Sequence, residues 1–337
     1  MPSSAPLAQT QSWTGFEPLR GAPSLSPATL AELIDGGQAF RWQSEPGGTW
    51  LGVWSDHLVR LRLNTAGGLE WSAPSAHADR TGAALFPYLF GHDTPAALDA
   101  LPWRSDPHLA RCLATFPGLT ILRQPFGETL LGFLCSATKQ IVQIKQMIAL
   151  LAARHGHPIL PPQPPLPPPP PPATTRQVCH VIRDKPSEVT FPETDKIALN
   201  RLPTWAELAA IPEADLRACL LGFRARYIHQ TAQFIAARPG WLEETERLSY
   251  PEAKARLCEL PGVGEKVADC VLLFGAGKPE AFPVDTWIIK AMARRYGLDG
   301  WTPAQIAHFG RTHFGAHAGL AQQYLFAYER AQGRSVT

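Results

Sequence analysis

The chain of 337 residues carries little net charge, +2, with 31 basic and 29 acidic side chains. A polyanionic partner would therefore have to be met by a local basic surface and not by the field of the whole molecule. No apolar run reaches the roughly 18 residues that a membrane helix needs, so no spanning helix is expected. The N-terminus lacks a basic start followed by an apolar segment, and no secretion signal is expected either. Cysteines are scarce and scattered: Cys112, Cys135, Cys179, Cys219, Cys258 and Cys270. None forms a CxxC pair, which argues against a zinc site and a disulfide framework, and for a reducing compartment. His308, His313 and His317 lie close together, but glycines interrupt the stretch, and they read as surface histidines, not metal ligands. Charged residues are only 18% and hydrophobic residues 45%. The chain is thus globular and long enough for two or three domains with a sizeable core.

Residues 24–75 carry strand signals. TWLGVW and HLVRLRLN alternate β-branched and aromatic side chains, and EPGG supplies turn chemistry between strands. From about residue 80 the period becomes helical. The stretch 127–156, GETLLGFLCSATKQIVQIKQMIALLAARHG, reads as one long helix or two helices joined at SATKQ. Residues 158–172 are a proline tract, expected to be polyproline II and to form a stiff, exposed insertion that extends to about 200. The helical pattern returns at Thr204 and continues to about 331. In SYPEAKARLCEL, Ser249 is the cap of a helix with Pro251 in its first turn and Glu252 three residues after the serine. The fold expected is α+β: a flexible N-terminus over 1–23, an antiparallel sheet domain over 24–100, and a helical region over 101–337 with the proline-rich insertion at 158–200.

The sharpest local signal is LPGVGEKVADC, residues 260–270. Pro261 stops one helix, Gly262 and Gly264 permit a tight hairpin, and a new helix begins near Gly264. The free N–H groups and dipole of its first turn suit a phosphate. Lys266 sits on that turn. A half-buried lysine loses hydration of its charged form, and a neutral amine is a nucleophile for a sugar C1′. The plainer reading is a surface lysine whose stem covers apolar area. Asp285, nineteen residues on in FPVDTWIIKAMARRYG, is a natural N-cap whose fixed carboxylate can face positive charge developing on that sugar.

These motifs resemble the helix–hairpin–helix DNA glycosylases, most closely the 8-oxoguanine DNA glycosylase family, over most of residues 24–331 outside the insertion. GGQAFRW (36–42), LGFLCS (131–136), LLGFRARYI (220–228) and AGLAQQYLF (318–326) support the resemblance in family order. It implies an all-helical pair of domains after the sheet, damaged double-stranded DNA as partner, a monomer, and cytoplasm or nucleoid (nucleus in a eukaryote) as location. Lys266 and Asp285 fall on the family's catalytic pair: a bifunctional glycosylase and AP lyase acting through a lysine Schiff base. Cys270 and Phe326 fall on the pair that sandwiches the flipped base. Gln322 falls on the residue that bonds the base's pairing edge, and Gly37 on the carbonyl that accepts the N7 hydrogen of 8-oxoguanine. Phe223 resembles the wedge aromatic. Arg224 resembles the arginine facing the orphaned cytosine, and a phosphate contact is the alternative for it. Gly262, Gly264 and Val267 supply phosphate-binding amides. Carbonyls of Cys258, Leu260 and Val263 are a candidate site for a structural monovalent or calcium ion. No cofactor is required. No cysteine follows Cys270, so the iron–sulfur cluster of adenine glycosylases is not expected.

The chain departs from the family in three places. Thr138 and Gln143 stand where strict cytosine-reading members carry asparagine and arginine, and Trp287 replaces a histidine near a phosphate. Weaker opposite-base discrimination is therefore expected. Two rivals remain: an alkylated-base glycosylase, and a helix–hairpin–helix module that holds duplex without chemistry.

Overall fold

A computed structural model describes residues 12–91, 94–160 and 199–334. Its sheet comprises β1 (Glu17–Pro18), β2 (Trp42–Glu45), β3 (Thr49–Trp54), β4 (His57–Leu63) and β5 (Leu69–Ser72), antiparallel throughout in the order β1-β5-β4-β3-β2. Strands β3 and β4 coincide with the alternating segments, in a register that pairs Val53 with Leu58 and Trp50 with Leu61. The inner face buries Leu61, Trp42 and Trp54. The Trp42 indole donates to the Tyr88 hydroxyl at 3.1 Å, and Trp54 stacks on Tyr88 at 4.4 Å between ring centroids. Full burial of each such side chain stabilises the fold by about 1.5–3 kcal/mol.

Two expectations about this region need correction. Residues 27–35 are not strand: Pro27–Asp35 form helix α1, because the Ser26 hydroxyl accepts from Thr29 N and Leu30, Leu33 and Ile34 fall on one buried face. The stretch assigned to a flexible N-terminus also contains β1, with Leu19 N donating to Leu69 O at 2.8 Å and Thr14 N to Ala73 O at 2.9 Å. Of that stretch, only residues 1–11 lie outside the described residues.

Helices follow: α2 (Ala78–Phe90), α3 (Thr94–Ala100), α4 (Pro107–Thr115), α5 (Phe126–Leu134) and α6 (Ile141–His155). The long apolar stretch is thus two helices, broken at SATKQ, where Thr138 takes a positive φ of 55°. Residues 161–198, most of the proline-rich insertion, lie outside the described residues. Its two ends are paired, against the expectation that 158–200 holds no strand and that the second half is all helix. Strands β6 (His157–Pro158) and β7 (Asn200–Arg201) form a short antiparallel ribbon.

After the ribbon come α7 (Trp205–Ala210), α8 (Glu213–Leu216), α9 (Arg224–Ala236), α10 (Trp241–Arg247) and α11 (Tyr250–Cys258). The chain then continues through α12 (Glu265–Phe274), α13 (Thr286–Tyr296), α14 (Pro303–Phe314) and α15 (Ala318–Arg334). Thr204 and Ser249 cap α7 and α11 with capping boxes completed by Glu207 and Glu252. One continuous core runs from Trp42 and Leu61 of the sheet to Leu257, Val271 and Tyr324 of the helices. Helix α12 is buried on nearly every face from Val267 to Phe274, as a central helix must be. Its one buried charge, Asp269, accepts from Tyr250 Oη at 2.7 Å and from Lys254 Nζ at 3.1 Å. These bonds compensate for burial, which pushes the Asp269 carboxyl up.

Candidate active site

The hairpin between α11 and α12 sets the site. Gly262 adopts φ +80°, and a Cβ there would lie 2.7 Å from the Tyr227 ring. Glycine is required on both counts. The turn is closed by Val263 N donating to Leu260 O at 3.1 Å. Among the described residues no backbone bond engages the amides of Gly262 and Gly264, and both glycines are exposed while Val267 packs inside. Leu260 and Val263 are buried and Cys258 is exposed. The Leu260 carbonyl already takes the turn's hydrogen bond and keeps one lone pair for any ion.

On the first turn of α12, Lys266 is half-buried and lines a cavity of about 50 Å³. That cavity is lined by Gly37, Phe133, Cys270, Phe274, Pro283, Asp285, Gln322, Gln323 and Phe326 as well. Both residues read as catalytic and all four read as base-binding therefore converge on one space, although they come from four separate parts of the chain.

Each group is held by identifiable forces. Asp285 caps α13, its Oδ1 accepting from Ile288 N at 2.9 Å. Burial pushes its carboxyl above the usual aspartate range, while the Ile288 amide and Lys266 pull it back. The Lys266 ammonium stands 5.2 Å from the Phe133 ring centroid, within cation–π range. Cys270, one turn along the same face, is pushed by burial up to about 11, with Lys266 opposing. A thiol raised this far stays protonated near neutral pH. The Gln322 amide donates to Pro283 O at 3.0 Å and accepts from Gln323 Nε2 at 2.5 Å. One N–H and one lone pair of that amide remain for a ligand. Phe326 is partly exposed at the cavity edge.

The residues read as DNA contacts sit outside the cavity, and their freedom differs. Phe223 is 52% exposed, edge-on to Tyr227 at 5.9 Å, beside Leu220, itself 60% exposed. This is a projecting apolar corner. Arg224 is not free beside it. It is buried, its guanidinium donating to Ala137 O and, at 3.0 Å, to Thr138 Oγ1, with Phe223 stacked over it. In this arrangement it ties α9 to the break between α5 and α6. Thr138 is its partner. Gln143 is exposed but engaged, its Oε1 accepting from the N-cap Gln140 N at 3.2 Å in the capping box of α6. Trp287 packs against Gly333 of α15, with Lys290 Nζ 5.4 Å from its ring. His313 is not a bare surface histidine; its Nε2 pairs with Asp106 Oδ2 at 3.1 Å. Among the described residues, no group of three or more His, Cys, Asp or Glu side chains is arranged to hold a metal, and no helix is long and apolar enough to cross a membrane.

Sequence reasoning passed over Phe133, Phe274, Pro283 and Gln323. Phe133 lay inside LGFLCS, yet nothing in its spacing related it to Lys266, 133 positions away.

Similarity to known proteins agrees with this geometry. Residues 24–130 match the model of the 8-oxoguanine DNA glycosylase N-terminal domain, and residues 177–312 match that of the HhH-GPD superfamily base excision DNA repair proteins. The Clostridium acetobutylicum 8-oxoguanine glycosylase/lyase, in complex with duplex DNA holding cytosine opposite 8-oxoG, superposes with a TM-score of 0.72 at 29% identity. The match covers 90% of this chain and 92% of that one. MBOgg1, in complex with a low-affinity DNA ligand, superposes with a TM-score of 0.74 at 30% identity, covering 93% and 95%. The N-glycosylase/DNA lyase OGG1 of Arabidopsis thaliana is 27% identical over 315 residues, 89% of this chain and 77% of the relative. The chain belongs to the HhH-GPD superfamily of base-excision repair proteins and, within it, to the 8-oxoguanine DNA glycosylases.

Proposed function

We propose that this protein removes 8-oxoguanine from duplex DNA and then nicks the strand. The observation that carries the reading is the single cavity shared by Lys266, Asp285, Cys270, Gln322, Phe326 and Gly37. The lesion leaves the base stack at a cost of a few kcal/mol and lies between Cys270 and Phe326. Gln322 bonds its pairing edge, and the Gly37 carbonyl accepts its N7 hydrogen. Guanine has a lone pair there, and two opposed acceptors repel.

Lys266, as the free amine, forms a bond to C1′ while the bond to N9 breaks and its electron pair leaves with the base, which takes up a proton. Asp285 faces the positive charge that builds on the sugar. Loss of the amine proton and opening of the ring yield an imine between Nζ and C1′. Removal of a C2′ proton then expels the 3′ phosphate by β-elimination.

Around this centre, Gly262, Gly264 and Val267 offer backbone amides to a phosphate. Phe223 fills the gap left by the extruded nucleotide. Thr138, Gln143, Arg224 and Trp287 lie along the same duplex. A monovalent or calcium ion can stiffen the hairpin through the carbonyls of Cys258, Leu260 and Val263, but the chemistry needs no cofactor. The working unit is a single chain, since every proposed contact comes from one copy, and it acts where the cell keeps its DNA, nucleoid or nucleus. The sheet (24–100) carries Gly37 and the helical region (101–337) carries the rest.

A panel of duplexes containing 8-oxoguanine, alkylated bases or undamaged guanine, each opposite all four bases, tests this when base release and strand cleavage are scored separately. Preferential release of 8-oxoguanine with coupled nicking is expected. Preferential release of alkylated bases, or binding without release, would transfer the site to one of its rivals.

A further inference from the structure

The Gly36–Gln38 loop presents three successive carbonyls, and only one of them is open. Gly36 O accepts from Arg330 Nη1, and Gln38 O accepts from Gln124 Nε2 at 2.7 Å. Among the described residues the Gly37 carbonyl takes no hydrogen bond from the protein, and Gly37 lines the cavity. Arg330 comes from α15, one turn beyond Phe326, and its guanidinium lies 5.6 Å from the Phe326 ring centroid. Its other terminal nitrogen donates to Glu32 Oε2 of α1 at 3.0 Å, and both side chains are about nine-tenths buried, at 8% and 11% exposure. One buried fork therefore joins three things: the end of α1, the carbonyl next to Gly37, and the helix that carries Phe326 and Gln322.

We infer that Arg330 is a positioning residue for lesion recognition, setting the distance between the Gly37 carbonyl and the Gln322–Phe326 side of the pocket. This deepens the proposed function and rests on it. Holding the carbonyls on either side of Gly37 holds both ends of the planar peptide that carries its own, and leaves that carbonyl only a rotation about the line between those ends. The planar guanidinium suits this task, since two donors in fixed geometry bind carbonyl and carboxylate together, which a lysine ammonium cannot reproduce. Recognition through N7 depends on that aim. Attack by Lys266 on a sugar that has already lost its base does not.

The test compares wild type, Arg330→Gln, Arg330→Lys and Gln124→Ala on two duplexes, one with 8-oxoguanine and one with a preformed abasic site. For Arg330→Gln we expect 8-oxoguanine release to fall on the order of 10- to 100-fold in kcat/KM, the scale of a misplacement near 1 Å, with abasic cleavage changed by less than about two-fold. The ratio of 8-oxoguanine to guanine release should fall with it. Arg330→Lys should be intermediate, because it keeps the charge beside Glu32 and loses the fork. Gln124→Ala should weaken release in the same base-dependent way. A purely structural role would lower both activities together, and that result would overturn the inference, as would an Arg330→Gln enzyme with unaltered discrimination. If Arg330→Gln fails to fold, Arg330→Lys and Gln124→Ala carry the same test. Wild type that releases no 8-oxoguanine would instead sink the proposed function, leaving the two failures distinguishable.

Discussion

The Lys266 ammonium lies 5.2 Å from the centre of the Phe133 ring, although the two belong to helices joined only by packing, α12 and α5. The ring of Phe133 stacks in turn on Phe274 of α12 at 5.5 Å and meets Phe40 edge-on at 5.2 Å. The proposed nucleophile is thus aimed by an aromatic column that reaches from α12 to the loop after Gly37. Because that column is core, the amine's position is a property of the whole fold.

Asp285 has two roles that a single substitution separates. Asparagine caps a helix as well as aspartate does, so Asp285→Asn keeps the bond to Ile288 N and removes the charge. Base release should fall roughly 10²–10³-fold. The stability effect has the opposite sense. Burial raises the folded-state pKa of this carboxyl, so its stabilising contribution is complete only below the unfolded pKa and disappears as pH rises through the folded one. At neutral pH the ionised group costs stability, and Asp285→Asn should melt at the same temperature as wild type or higher. Wild-type activity should climb with pH over a range above that of an ordinary aspartate, and the variant should lack this limb. A clearly lower melting temperature would show that the charge stabilises the fold.

Gly262→Ala should destabilise the protein by about 1–3 kcal/mol, the usual cost of a strained backbone, with the clash against Tyr227 added. Duplex affinity should weaken equally for damaged and undamaged DNA, since the hairpin offers amides and not base contacts. Unfolding and binding titrations check both points; a variant as stable as wild type would mean that the turn tolerates a side chain.

Two cysteines near the hairpin should react differently. Cys258 is exposed, whereas Cys270 is buried with its thiol pushed up to about 11. Iodoacetamide near neutral pH should label Cys258 and leave Cys270 untouched, as read by peptide mapping. Labelling of Cys270 first would contradict the neutral wall assigned to it.

Opposite-base selection should be weak. Thr138 and Gln143, which the resemblance sets against an asparagine and an arginine of strict cytosine-reading members, are both engaged with the protein itself. Excision opposite adenine should fall within roughly 10-fold of that opposite cytosine, the low end of pocket-based discrimination. Negligible release opposite adenine would show that these residues let go of their partners on DNA.

What could be read from the sequence was what is local. The Pro-Gly-x-Gly turn, the lysine on the next helix, the Asp285 cap and the Ser249 box each need only a few consecutive residues, and the structure has all of them. The two-residue strand β1 is too short to show alternation. Helix α1 hides among strand signals, with only Ser26-Pro27 to announce it. The link from Arg330 to Gly36 spans most of the chain, so no spacing rule reaches it. The burial of Arg224 was not legible for a related reason: GFRARY looks exposed, and the burial depends on a carbonyl from the turn after α5.

The most direct test of the central claim is borohydride reduction during reaction with an 8-oxoguanine duplex, followed by mass mapping of the trapped peptide. The account predicts one covalent adduct, located on Lys266 and absent from Lys266→Gln, with base release in that variant reduced on the order of 10³-fold or more. An adduct mapped to another amine, or full base release by Lys266→Gln, would contradict it.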